Sequence, residues 1–192
     1  VSRVNLVVAW FGSDLRCGEC LVRPGVEIAD KATVPLAWSV AGVNRGDAYV
    51  VSATSGRSNF GGTPSDNSVR QAVEMLAARG YHVTLYPFLL MDIAGDNALP
   101  DPYGGEAQAA FPWRGRITPV EGDVDDQIDM FFERYRPFIL HYAEIAAGTG
   151  ADRAGLRGKG RRHRGHHRER CGAIPAGRAG ADRRDGARGA AP

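Results

Sequence analysis

The chain has three cysteines in 192 residues, Cys17, Cys20 and Cys171, too few for a disulfide framework. They leave one local pair and one orphan, so cysteine usage does not fix the redox compartment. No run approaches the roughly 18 to 20 apolar residues that a helical membrane span needs. The opening VSRVNLVVAWFG lacks the charged, apolar and small-residue order of a secretory signal. No membrane span is expected. The last 42 residues lack any aromatic residue or valine and hold one leucine and one isoleucine. Such text cannot bury enough apolar area to offset the entropy of ordering it.

What is present divides at Gly150. Residues 1–150 carry 12 Lys+Arg against 18 Asp+Glu, a net of −6, whereas residues 151–192 carry 12 against 4, a net of +8; together they give the +2 of the whole chain. Charge asymmetry of this kind marks a basic arm or an interaction tail. It is also what translation of a GC-rich gene in a shifted frame produces, since Arg, Gly, Ala and Pro codons then dominate. A nucleic-acid role for the tail would act through counterion release, but the tail lacks the aromatics that single-strand binders interleave, and nucleic acid is not the expected partner.

Val4–Phe11 (VNLVVAWF) is a continuous apolar run of strand length, the pattern of a strand buried on both faces. Residues 12–62 are irregular, with short strand-like text at 36–40 and 48–52. Thr63-Pro64-Ser65-Asp66 predicts a helix start with Thr63 as N-cap and Pro64 in the first helical position. Val69, Ala72, Val73, Leu76 and Ala77 then share one helical face, and Gly80 ends it. Tyr81–Leu90 predicts the next strand, with Pro87 marking where pairing stops. Strand, helix and strand make a βαβ unit. A loop of about thirty residues follows, far above the usual connection of roughly 4 to 6. Apolar positions from Val124 to Ile145 predict a second helix, kinked or restarted at Pro137. A third strand is expected after Gly150, and the tail text does not supply one.

Several residues invite a chemical reading. Cys17-Gly-Glu-Cys20 has the spacing of a zinc or redox pair, but too few other ligands accompany it for a structural metal site; a candidate disulfide that stabilises the loop is the plainer expectation. No metal and no cofactor is expected. Asp14 and Asp92 follow the first and second strands, where parallel α/β folds place working groups, and two carboxylates across a pocket could serve glycoside hydrolysis. Simple loop capping is the alternative. In the long loop, Asp101, Tyr103, Trp113, Arg114 and Arg116 form an aromatic and guanidinium set suited to a sugar or peptide, unless Trp113 instead pins the loop to its own domain. With Trp10 these make the candidate ligand-binding residues. His82 is expected to be packed within its strand.

The segments WFGSDLRCGECLVRPGVE, FGGTPSD, YPFLLMD, GDNALPDPYGG, PWRGRI and FILHYAE resemble, in order, the TIM-barrel-like domain of gene transfer agent tail-hub proteins and related phage host-specificity proteins, over about Val4 to Gly150. The resemblance implies an α/β fold: an incomplete (β/α)8 TIM-barrel-like segment with long βα loops over residues 1–150, followed by a disordered basic tail over residues 151–192. It also implies a fragment of a tail protein of a phage-like particle, made in the bacterial cytoplasm. Its expected partners are other tail proteins and the envelope glycan of a recipient cell. In the family a glutamate on the strand after the FILHYAE segment stands where related glycosidases keep an acid; ADRAGLRGKG replaces that strand here, so a structural and recognition role is expected ahead of glycan hydrolysis.

Overall fold

The computed structural model describes residues 2–151, 153 and 154; the expected disordered tail falls almost wholly outside them. Strand β1 (Arg3–Gly12) is followed by seven two-residue strands: β2 (Val22–Arg23), β3 (Gly25–Val26), β4 (Ser39–Val40), β5 (Val43–Asn44), β6 (Tyr49–Val50), β7 (Ala53–Thr54) and β8 (Arg57–Ser58). Helix α1 (Asp66–Ala78), strand β9 (His82–Met91), helix α2 (Val124–Thr149) and strand β10 (Arg153–Ala154) complete the order.

Strands β1 and β9 are parallel and in register over ten residues, from Arg3 opposite His82 to Gly12 opposite Met91. Their side chains alternate between faces, as a pleated strand requires. On one face Val8 and Trp10 of β1 and Val83, Leu85, Leu89 and Met91 of β9 join a core with Val69 and Val73 of α1 and Phe138, Tyr142, Ile145 and Ala146 of α2. Both helices therefore cover the same face. Val7 on the opposite face is 56 % exposed.

The barrel expected from the resemblance is not seen. The described residues form a mixed arrangement: one open sheet of order β10-β9-β1-β2, three two-stranded ladders and two α-helices. Closure requires every strand to be flanked by partners of matching stagger. Here the outer edge of β1 is taken by antiparallel β2 (Phe11 opposite Arg23, Gly12 opposite Val22), and the 12–62 excursion builds short ladders in place of a helix and a further parallel strand.

Local corrections follow from tertiary contacts. The cap of α1 is Ser65, whose hydroxyl accepts from the Ser68 N–H, and not Thr63. Thr63 is buried and donates its hydroxyl to the Ala9 carbonyl at 2.7 Å while accepting from the Gly25 N–H at 3.0 Å, which ties the excursion to β1. Gly80, at φ +81, follows the end of α1 as expected. Pairing with β1 runs straight through Pro87 to Met91, because proline breaks a ladder only on the side its missing N–H faces. Helix α2 is continuous through Pro137, capped by Asp123 at its start and by Gly150 at φ +73 at its end. Beyond Gly150 the expected lack of a strand is overturned over two residues: Arg153 and Ala154 pair in parallel with Thr84 and Leu85. His82 opens β9 as an exposed residue, not a packed one. Among the described residues no helix is long and apolar enough to cross a membrane.

Candidate functional site

The loops that leave the C-terminal ends of β1 and β9 carry the two carboxylates singled out above. Both are buried, Asp14 at 3 % and Asp92 at 7 % exposure. Asp14 is saturated from within the chain. Its Oδ1 accepts from the Arg16 backbone N–H at 2.8 Å, from Arg16 Nε at 3.0 Å and from Gln108 Nε2 at 2.7 Å, and its Oδ2 accepts from Arg16 Nη2 at 2.7 Å. Burial alone would raise its pKa, but the hydrogen bonds from Arg16 and Gln108 outweigh it and hold the carboxyl below its ordinary value. A carboxylate so held is neither a general acid nor a free nucleophile.

Asp92 is equally committed. Its Oδ2 accepts from the Tyr49 hydroxyl and the Ser52 N–H, each at 2.7 Å, and its Oδ1 from the Ser52 hydroxyl at 2.5 Å. Burial, then the hydrogen bond to Asp92, pushes the Tyr49 phenol upward, so it remains a donor. The Arg23 guanidinium lies 4.0 Å above the Tyr49 ring. Both aspartates fasten loops to the end of the sheet.

Gln108 was missed by the sequence reading, and it does what was assigned to Trp113. Only 3 % exposed, it accepts from the Leu15 N–H at 2.8 Å and donates to Asp14 and to the Pro100 carbonyl. It thereby pins the long loop to the end of β1. Trp113, in contrast, is 67 % exposed. It stands beside Phe60, Phe88, Leu90, Phe111 and Arg114 around a groove of about 280 Å3. The Arg114 guanidinium lies 3.9 Å over the Phe88 ring and makes no ion pair among the described residues. Phe111 is held at φ +46, a left-handed conformation that costs a non-glycine residue about 1–3 kcal/mol. Its N–H donates to the Ile93 carbonyl at 2.8 Å, and its ring stands edge-on to Phe60 with centroids 5.5 Å apart.

The remaining candidates separate from this groove. Trp10 is a core residue, 5.1 Å from the Phe138 ring, and cannot reach a ligand. Asp101 accepts from the N–H groups of Tyr103 and Gly105 and shapes its own turn. Tyr103 donates to the Arg116 carbonyl, and the Arg116 guanidinium stacks 4.2 Å over the Tyr103 ring. Cys17 and Cys20 are buried free cysteines, so the disulfide expectation is corrected. They sit in a helical turn closed by the Cys20 N–H on the Arg16 carbonyl at 2.9 Å. Burial pushes both thiols upward, which disfavours the thiolate that metal binding requires. No cluster of metal-ligating side chains occurs among the described residues.

A second and larger cavity, about 820 Å3, was not foreseen. It lies between the 33–36 loop, residues 58–64 and the first turns of α1. Glu27 and Arg45 line it and partly neutralise each other at 3.6 Å, with Lys31 adding a second contact to Glu27 at 3.1 Å. The Glu27 backbone N–H first, and then Lys31 and Arg45, hold this carboxyl below its ordinary value against its partial burial. Gly62 is required here: a Cβ would come within 2.7 Å of Glu27 Oε2 and 3.0 Å of the Gly25 carbonyl. The paired glycines of FGGTP were the available signal in the sequence.

No protein-family model matches the chain, and no curated protein matches it.

Proposed function

We propose that this chain is a glycan-recognition fragment of a tail-hub protein of a phage-like particle, contacting the envelope of a recipient cell without cleaving it. The observation that carries this reading is the contrast within one end of the sheet. The two carboxylates that hydrolysis would use are consumed by internal hydrogen bonds, whereas an exposed indole, a strained phenylalanine and a guanidinium with no ion pair among the described residues surround a groove. Aromatic faces stack on the apolar faces of sugars, and a guanidinium offers planar paired donors to a carboxylate or a ring of hydroxyls. The ordered series of segments from WFGSDLRCGEC to FILHYAE supports the tail-hub context, and with it the other tail proteins and the envelope glycan as partners.

The test uses the full chain and a peptide-free murein disaccharide, one N-acetylglucosamine joined to its lactyl ether, in titration calorimetry. Binding is expected to weaken tenfold or more in both Trp113→Ala and Arg114→Ala, with no release of reducing sugar from murein strands. Affinity unchanged in both variants, or no binding at all, overturns the recognition reading. Turnover abolished by Asp14→Asn or Asp92→Asn in a still-folded protein would replace it with hydrolysis.

A further inference from the structure

We propose that the two cavities are adjoining subsites of one cleft, and that the cleft takes a linear glycan in which carboxylate-bearing and neutral sugars alternate. This deepens, and rests on, the recognition reading above. The join is Phe60, which lines both cavities. Its ring is wedged between Phe11, at 5.7 Å, and the strained Phe111, at 5.5 Å, so the partition between the two spaces is a fixed aromatic surface. Gly61 and Gly62 follow it directly, and at Gly61 a Cβ would meet nothing within 4 Å. Bare backbone thus floors the larger cavity directly beside the shared Phe60.

The two ends differ in chemistry in a way that selects the ligand. The smaller end carries Arg114, a cation with no ion-pair partner among the described residues, set among aromatic rings. A carboxylate-bearing sugar supplies the missing charge. The larger end holds Glu27 and Arg45 already facing each other, and its other polar groups are neutral amides and hydroxyls, among them Asn59, Asn67, Ser68 and Gln71. Such a lining hydrogen-bonds hydroxyl and acetamido groups, and its cation Arg45 already faces a carboxylate of the chain. Its volume is about three times that of the smaller end, and both lie near the range of clefts that enclose small organic ligands. A single sugar fills one end only, so occupying both requires a chain.

The test is a length series on the full protein: peptide-free murein fragments of two, four and six sugars, with chitin oligomers of equal length as the neutral comparison, since the two differ only in the lactyl ether. The tetra- and hexasaccharides are expected to bind at least tenfold tighter than the disaccharide, and each murein fragment tighter than its chitin counterpart. Asn67→Trp fills the larger cavity from an exposed helix position; with an unchanged melting curve, it is expected to abolish the gain with length. Disaccharide binding without a gain on lengthening, or a gain that survives Asn67→Trp, overturns the joined cleft while the recognition reading stands. Equal affinity for chitin overturns the alternating ligand. Failure of every murein fragment to bind overturns both readings together.

Discussion

On the helix side of the β1–β9 pair, aromatic rings lock into one another: Phe138 touches Trp10 at 5.1 Å and stands edge-on to Tyr135 and Tyr142, each at 5.7 Å. On the other side, Tyr86 and Phe88 meet at 6.0 Å and the nearest lid over Phe88 is a guanidinium. The same two strands supply both faces, but the helix face is apolar along its length, with Val4, Leu6, Val8 and Trp10 beside Val83, Leu85, Leu89 and Met91, whereas the other mixes Val7, Phe11, Phe88 and Leu90 with Arg3, Asn5, His82 and Thr84. Both α1 and α2 fall on the apolar side. The face they leave holds apolar and cationic groups in reach of solvent, the composition of a surface that meets something else.

If the contrast is real, truncation must cost far more on one face than on the other. Phe138→Ala removes a fully buried ring and is expected to cost about 4 kcal/mol in urea unfolding, whereas Val7→Thr, on the half-exposed opposite face, should stay within about 0.5 kcal/mol. Comparable losses would mean that both faces are packed. The next largest effect belongs to the strand-end carboxylate. Asp14→Asn leaves Arg16 facing a neutral partner in a mostly buried site and is expected to cost about 3 kcal/mol at neutral pH. The sign with pH follows from the depressed pKa. The native carboxylate stabilises the fold fully above its unfolded value near 3.8, and the contribution fades as pH falls through the lower folded value. Wild type should therefore lose more stability than Asp14→Asn on acidification below about pH 4; parallel pH curves would show that Asp14 is not held as described.

Much of the helix face was legible in the sequence. Local period and cap signals report burial over a few turns, which is why β1, α1, β9 and the long α2 stand close to where VNLVVAWF, VRQAVEML, YHVTLYPFLL and the 124–145 spacing place them. The barrel was not legible, because closure depends on which edges are taken, and the occupation of β1's edge by two residues at Val22–Arg23 leaves no trace in period or composition. The site was half legible. Residue type and loop length singled out Trp113 and Arg114, which both line the smaller groove. Asp14 draws three hydrogen bonds and its ion pair from Arg16, two residues on, but the fourth bond comes from Gln108, 94 residues away, and the larger cavity depends on Glu27, Arg45 and α1 coming together; these long-range parts have no local signature.

A smaller effect of opposite sign probes the packed face again. The Tyr142 hydroxyl and Trp10 Nε1 are buried, and they lie close enough to perturb each other without forming a hydrogen bond of ordinary geometry. Burial, only partly offset by Trp10, pushes the phenol upward, so it stays protonated and brings an unsatisfied polar atom into the core. Tyr142→Phe deletes that atom and keeps the ring, and is expected to stabilise the fold by up to about 1 kcal/mol. A loss of stability would reveal a partner for the hydroxyl and weaken the account of this face as fully apolar.

The smallest expected change in stability comes from the exposed face and is the most informative about the site. Gly115 lies against the Trp113 ring so closely that a Cβ would fall 2.2 Å from Cζ3 and 2.3 Å from Cη2. Both are atoms of an exposed indole that is free to swing outward. Gly115→Ala should therefore move the indole and spare the fold, with unfolding free energy within about 0.5 kcal/mol of wild type. The emission of the other two tryptophans, Trp10 and Trp38, is buried in origin, so a red shift in total fluorescence would report the movement of Trp113 itself. If the groove binds sugar by stacking on this indole, disaccharide affinity in Gly115→Ala must fall about as far as in Trp113→Ala. An indole that shifts while affinity holds would place the binding energy on Arg114 and the Phe60–Phe111 surface. A large loss of stability would show that Trp113 anchors the loop after all, and that the two faces of the sheet are less different than the exposure of Trp113 makes them.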